Sequence, residues 1–449
     1  MHTDHSGLGT AELVGHRIAR EAFRRGIAQA HSVTSHRACD IKPSSQYLLR
    51  NLAAERPDHV HANILDSLRP DVRARLVAME PDPTWGRSRK QAAYKAICTV
   101  MEAAFHQGEL FNPNARAPCS IHVQECIGFC TMQNMVNMVV SGTSCTAWSA
   151  VGKQEGAAHP TALPWFCFVF YLKTFQPHIV IHEITELHPD EVIQYHFADL
   201  YDFVTLHISP WQVGFPCKRP RLYRILTLRT AGDLVAKSDD FFKLLQCKPN
   251  VLATSLFCAE KEMVDRDLHK LGPLRRRMPN AAEASKMWEQ PMTPAERGRS
   301  VRGEGRRLEG KFFTDITKVE GCRRPSELIP CLAQNSKVWS EFHKREALPV
   351  EHLVFQGFPA VPAVASAAGA LPWAATVGMP PNDVSACEMR SLAGNAMHMG
   401  VLGAVMLFAF SSFDLHGERP LRLRKMTSLL EPCADNGGTE TAPDGPGAE

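Results

Sequence analysis

The sequence predicts an α/β protein: a mixed, mostly parallel sheet with helices on both faces, accompanied by a second, smaller domain. Three observations carry this. The 449 residues are enough for two or three domains of ordinary size. Their 44% hydrophobic and 22% charged content is that of a globular chain. Helical and strand patterns alternate through the first half and stop alternating near Lys237, and such alternation implies parallel strands joined by covering helices.

Taken in order, residues 11–30 set Leu13, Ile18, Ala22 and Ile27 among Arg and Glu at the spacing of an amphipathic helix. Residues 32–40 read as a strand ending in an acid. Residues 135–140 form a short apolar run that stops at Ser141-Gly142, as a buried strand does. A helix over 164–175, a strand over 178–182, a helix over 189–201 and a strand over 203–208 follow. Beyond Lys237, residues 261–311 hold 13 Lys/Arg and 8 Asp/Glu, a local net charge of +5, without periodicity. Residues 359–381, rich in Ala, Pro and Gly, read as a long loop. The apolar stretch at 396–410 is shorter than the roughly 20 residues of a spanning helix, so it is expected to be a buried one. The end of the chain lacks the apolar content to fold.

Charge and cysteine usage narrow the function classes. Lys+Arg 50 against Asp+Glu 47 leaves a net charge of +3, which excludes a polybasic binder but not a local basic patch. Fourteen cysteines scattered along the chain lack the dense spacing of a small secreted scaffold, so reduced thiols in an intracellular protein are expected. The polar N-terminus does not read as a secretory signal, and a soluble protein is expected.

The chemistry-bearing residues lie where strands end. Gly7-Leu8-Gly9 precedes a helix, a turn that lets a nucleotide-like ligand approach the backbone. Asp40 ends the next strand, where an acid can hold a ribose hydroxyl or equally cap a turn. Cys145 sits just past a strand among Ser, Gly, Thr and Ala, so its thiol is accessible; a lone cysteine is otherwise more often a buried hydrophobe. Glu183 follows the strand at 178–182 and points to the same edge of the sheet. Arg219 and Arg221, two residues apart in extended chain, can face it together or form surface ion pairs.

Several of these segments, in this order, resemble the DNA (cytosine-5) methyltransferases. Ser6-Gly7-Leu8-Gly9-Thr10 is similar to the family's first glycine turn, and Ala38-Cys39-Asp40-Ile41-Lys42-Pro43, with Asn51 further on, to its second cofactor motif. Ser141-Gly142-Thr143-Ser144-Cys145-Thr146-Ala147-Trp148-Ser149, continuing to Gly152, resembles the nucleophile loop. The strand ending at Glu183 resembles the Glu-Asn-Val segment, and Gly214-Phe215-Pro216-Cys217-Lys218-Arg219-Pro220-Arg221 the Gln-x-Arg-x-Arg segment. Phe355-Gln356-Gly357-Phe358-Pro359 and Leu392-Ala393-Gly394-Asn395-Ala396 are similar to the late and closing motifs.

The resemblance implies a Rossmann-like S-adenosylmethionine-dependent methyltransferase sheet with a target-recognition domain, acting on DNA. Cys145 would attack carbon 6 of a flipped cytosine and Glu183 would hold the base's ring nitrogen and amino group. Arg219 and Arg221 would orient the base and the loop. Gly7, Gly9, Asp40 and Asn395 would line the S-adenosyl-L-methionine site, with Asn63, or Asp66 as a substitute, near the adenine. Residues 1–235 would form the catalytic, cofactor-binding domain with an insertion at about 67–134. Residues 236–345, which include the basic stretch, would form the recognition region, 346–415 the C-terminal part of the catalytic domain, and 416–449 a disordered tail. In a eukaryote the protein would be nuclear.

Departures from the family pattern are Ser144 for proline, Ile184-Thr185 for Asn-Val, Cys217 for glutamine, and His5 where an aromatic residue is expected. RNA, including tRNA, is the alternative substrate, and a catalytically inactive nucleic-acid-binding protein the alternative class. The insertion carries Cys119, His122, Cys126 and Cys130. Four soft ligands this close suit zinc, although their spacing fits no standard finger and half-buried thiols explain them as well.

Overall fold

The computed structural model describes residues 1–5, 7–27, 33–52, 56–129, 135–149, 154–268, 313–318, 326–367 and 385–416. The chain opens with β1 (His2–Asp4), α1 (Thr10–Arg24), β2 (Arg37–Cys39), α2 (Pro43–Asn51) and β3 (His59–His61). The insertion follows as α3 (Pro70–Ala78), α4 (Arg87–His106) and a hairpin of β4 (Ala117–Cys119) and β5 (Gln124–Cys126). Then come β6 (Met138–Gly142), α5 (Ala162–Phe175), β7 (Ile179–Ile184), α6 (Asp190–Phe197), β8 (Tyr201–Ile208), β9 (Arg221–Leu228) and β10 (Gly232–Leu234). The remainder is α7 (Ser238–Leu245), α8 (Lys261–Leu268), β11 (Phe313–Asp315), β12 (Val338–Ser340), β13 (Arg345–Glu346), α9 (Pro349–Phe355), α10 (Pro362–Ala367), α11 (Ala386–Asn395), α12 (Met399–Ser412) and β14 (Phe413–Leu415).

Nine strands make the central sheet in the order β5-β4-β3-β2-β1-β6-β7-β9-β8. The five from β3 to β7 run parallel; β9 is antiparallel to β7 and β8, and β4 is antiparallel to β3. The chain moves from β1 outward to β3, then returns to place β6 on the other side of β1. That reversal leaves a crevice at the carboxyl ends of β1 and β6, where open α/β sheets bind ligands. Two smaller sheets, β10-β14 and β11-β12-β13, complete the described part.

Strand periodicity explains the layers. Met138, Val140, Ile181 and Ile225 face one buried cluster with α1, α2 and α12, while Val139, Val180 and Leu226 face a second with α4 and α5. The apolar stretch at 396–410 is accordingly a core helix, α12, packed against α1.

Several sequence expectations shift. Helix α1 ends at Arg24 rather than running to residue 30, because Gly26 at φ 66° closes it. Helix α6 ends at Phe197, and Tyr201 already belongs to β8, which buries that ring. The long Ala/Pro/Gly loop is interrupted by α10. Most of the basic stretch, Arg275–277 and residues 297–307 included, lies outside the described residues, as does the end of the chain.

The first strand is both polar and buried. Asp4 accepts from Arg37 Nη1 at 2.7 Å, and Thr3 donates to Glu12, all at positions almost without solvent contact. Burial raises the Glu12 carboxyl to about 7, and its second oxygen has no partner. A carboxyl raised on folding holds its proton in the native state after the unfolded chain has released it. Stability should therefore fall between about pH 4.5 and 7, by up to about 1.4 kcal/mol per pH unit, and level off above. Chemical denaturation across that range is expected to show this slope in the wild type and a flatter one in Glu12→Gln.

Candidate active site

A cavity of about 490 Å³ opens at the carboxyl ends of β1, β2, β3, β6 and β7. His5, Asp40, Asn63, Thr143, Ser144 and Ile184 contribute one wall each from those strand ends. Trp148, Trp165 and Phe166 supply aromatic surface, and α6 closes one side with Val192 and Tyr195. Volume and lining suit a small ligand with an apolar body and a few polar anchors.

Asp40 organises the polar side. Its carboxylate accepts from the backbone N–H of Gly7 and of Lys42, both at 2.8 Å. Gly7 at φ 58° and Gly9 at φ 73° make the left-handed turn into α1 that a side chain would strain. Contrary to the sequence expectation, the two glycines and Asn395 are not among the residues that line the cavity; Gly9 packs instead against Leu49 and Leu52, where a close approach leaves no room for a side chain. A Cβ on Gly7 would stand 3.8 Å from the Asn395 carbonyl, and the Asn395 side chain accepts from Gln334 at 2.9 Å. Asn63 lines the cavity while its side chain caps the following turn through Leu65 N–H at 3.0 Å. Asp66 is instead paired with Arg73 at 2.5 Å.

The loop after β6 carries Cys145 beside that cavity, immediately after the lining residue Ser144. Cys145 C=O accepts from the N–H groups of Trp148 and Ser149 at 3.0 and 2.8 Å, so a hydrogen-bonded turn follows the thiol-bearing residue. Gly152 lies outside the described residues. Glu183, buried near the end of β7, pairs with Arg221 Nε at 3.1 Å. Burial pushes the Cys145 thiol up, opposed by Arg221 and Arg219 and reinforced by Glu183. Thiol, carboxylate and guanidinium thus share one electrostatic site.

Arg219 takes a different position from Arg221. Its Nη1 donates to Leu332 C=O at 2.9 Å, and its Nη2 to the carbonyls of Gly394 and Ala396 at 3.1 and 3.0 Å. It ties the closing segment to the start of β9 while its charge still reaches Cys145.

Sequence reasoning missed three supports. Thr143 Oγ1 and His182 Nε2, 2.7 Å apart, join the Cys145 loop to the strand of Glu183; burial holds His182 well below its usual value, so it stays neutral. Arg224 donates to Asp190 at 2.7 Å and to His188 C=O at 2.6 Å, and the His188 ring meets Trp148 edge-on at 4.9 Å. Gly156 at φ 55° lies under Trp148, where a Cβ would come within 3.1 Å of the indole. Also missed is Cys331, brought to the arginines by the bridge of Cys217 to Ile329. Burial raises its thiol, but Arg219, Arg221 and Lys318 outweigh that and hold it below the usual range. No short-range pattern around Ile329-Pro330-Cys331 signals this.

No protein-family model and no curated protein matches this chain. Among solved structures it is similar to the Dnmt2 methyltransferase of S. pombe, at 13% identity and a TM-score of 0.46, covering 90% of this chain and 97% of that one. An E. coli protein assigned as a DNA modification methyltransferase encoded within prophage Cp is matched at 10% identity and a TM-score of 0.48, over 92% and 98% of the two chains. The Entamoeba histolytica methyltransferase EhMeth is matched at 11% identity and a TM-score of 0.45, over 91% and 97%.

Arg219 anchors three carbonyls with a planar guanidinium that an ammonium cannot reproduce. Arg219→Lys should lower unfolding stability by about 1–3 kcal/mol and raise amide exchange selectively around residues 392–397. Unchanged exchange there would remove the anchoring role.

Proposed function

We propose that this chain transfers a methyl group from S-adenosyl-L-methionine to carbon 5 of cytosine in DNA, with Cys145 as the covalent nucleophile. The observation that carries this reading is the Glu183–Arg221 pair at 3.1 Å, within electrostatic reach of Cys145, whose neighbour Ser144 lines the strand-end cavity. DNA as the substrate rests on the order of the motifs that resemble the DNA (cytosine-5) methyltransferases.

The cavity's size and lining support S-adenosyl-L-methionine as its ligand. Its aromatic and aliphatic walls suit an adenine, Asp40 and Asn63 offer acceptors for hydroxyl and amino groups, and buried His5 Nδ1 has no hydrogen-bond partner. When bound, the cofactor supplies an electrophilic methyl group.

The chain's residues would then act on a cytosine extruded from its stack. Arg221 favours the anionic form of Cys145, and the thiolate adds to carbon 6. Glu183 presents its carboxyl group to the ring nitrogen and amino group, holding the proton that the base gains as electron density moves to carbon 5. Carbon 5 would take the methyl group, leaving S-adenosyl-L-homocysteine, and lose its hydrogen as a proton to water; expulsion of the thiolate from carbon 6 and return of the ring-nitrogen proton to Glu183 would restore the base and Cys145. The Thr143–His182 bond aims the loop that the missing proline would otherwise stiffen.

Covalent trapping tests the nucleophile. Incubation with labelled cofactor and a 5-fluorocytosine duplex should leave a shifted band under denaturing conditions, absent in Cys145→Ala. Cofactor binding by that variant, measured by calorimetry, should stay near wild type. A band with fluorocytosine RNA alone would move the substrate to RNA, and no band with either would favour a non-catalytic role.

Glu183→Gln removes the carboxyl group's charge and proton while keeping its shape. Single-turnover rates should fall on the order of 10² to 10³, whereas a wild-type rate would take Glu183 out of the chemistry.

A further inference from the structure

We propose that His59, Cys119, His122 and Cys126 form a structural zinc site that fastens the β4–β5 hairpin to the edge of the parallel sheet. Three of these residues come from the hairpin: Cys119 ends β4, His122 lies in the turn and Cys126 ends β5. The fourth is the first residue of β3, about 60 residues earlier in the chain. Cys130, grouped with the three by sequence spacing, lies outside the described residues.

Distances between the donor atoms carry the argument. His59 Nδ1 lies 3.2 Å from His122 Nδ1, Cys119 Sγ lies 3.8 and 3.6 Å from those two nitrogens, and Cys126 Sγ lies 3.4 Å from His122 Nδ1. A tetrahedral zinc ion, with Zn–N near 2.0–2.1 Å and Zn–S near 2.3 Å, requires edges of about 3.3 Å between nitrogens and about 3.6 Å between nitrogen and sulfur. All donor atoms lie within 4.8 Å of one another, so the remaining edges would tighten by about an ångström at most. Hydrogen bonding alone explains the cluster poorly. Two neutral imidazoles that meet through Nδ1 share at most one useful proton, yet two sulfurs converge on the same nitrogens.

Two thiolates and two imidazoles form a Cys₂His₂ donor set, which favours zinc over magnesium or calcium and, with four protein ligands, leaves no position for catalysis. Cys119 and Cys126 are free thiols rather than a disulfide. The fold gives such an ion a purpose. One ladder pair, His61 with Cys119, and one bond from Ser120 N–H to Val60 C=O at 2.8 Å join the hairpin backbone to β3, so little backbone pairing fastens it to the sheet. Strand β3 continues directly into Ala62 and Asn63, which line the cavity. An ion at this edge would fix the strand that presents them.

Metal analysis of untagged protein, reconstituted with zinc and then freed of loose metal by dialysis, tests the proposal. About one zinc per chain is expected in the wild type and in Cys130→Ser. Cys119→Ser/Cys126→Ser should retain almost none, and His59→Ala far less than one. Substoichiometric wild-type zinc, retention by the double variant, or loss in Cys130→Ser with retention in His59→Ala would each overturn this ligand set. Should the double variant fail to fold, cobalt(II) substitution of the wild type decides. Thiolate-to-cobalt charge transfer with tetrahedral d–d bands is expected, and purely octahedral cobalt overturns the site.

Discussion

A full ion pair lies in the middle of the sheet, and the crevice depends on it. Asp4 on β1 and Arg37 on β2 meet at 2.7 Å with 0 and 2% of their side chains exposed, and Arg37 also packs over the Tyr171 ring. Removing either partner would strand a buried charge, at a cost of about 3–5 kcal/mol. Strand β1 has only three residues and lies where the strand order reverses. Its polar side chains hold it between β2 and β6 in place of an apolar run. Three residues beyond each partner, Gly7 N–H meets the Asp40 carboxylate. The pair therefore sets the register that joins the glycine turn to the acid.

The two thiols near the arginines experience opposite outcomes from the same ingredients. Burial raises both, but Cys145 also faces Glu183, whereas the cations Arg219, Arg221 and Lys318 prevail at Cys331. Arg221 is shared by Glu183, Cys145 and Cys331, and those groups outweigh its own burial to keep it firmly charged. A base entering beside Glu183 would engage one acceptor of Arg221 and leave more of its field for the Cys145 sulfur. Under the proposed mechanism, nucleophile activation and base recognition would be coupled through that single guanidinium.

What the sequence revealed follows how local each signal is. Strands β6 and β7 and helix α5 are legible because apolar runs bounded by Gly, Pro and polar residues persist in any context. Cys145, Glu183 and Asp40 are legible because they follow such runs. Strand β1 is hard to read, since His-Thr-Asp has no strand signature and is buried only through partners far along the chain. The two arginines look equivalent at alternate positions, and only the return of Gly394 and Ala396 separates their tasks. His59 is illegible as a ligand for the same reason: its partners arrive through a hairpin whose position depends on the sheet order.

Loops at the strand ends carry the candidate site residues, and long-range polar bridges fix each loop to the layer beneath it. Asp40 holds the glycine turn, His182 holds the Cys145 loop, Arg224 holds the segment after β7, and Arg219 holds the closing segment. Each bridge ends on backbone or on a neutral partner across a boundary between elements, where hydrophobic packing would leave the loop free to slide. Hydrophobic burial sets the layers, because area is non-directional; hydrogen bonds, being directional, set where the thiol and the acid point. Ser144 and Ile184 lack the stiffness of the residues they replace in the pattern this sequence resembles, and the Thr143–His182 bond ties the Cys145 loop down from the strand side. The loop's aim is thereby tied to the position of β7, the strand that also carries Glu183.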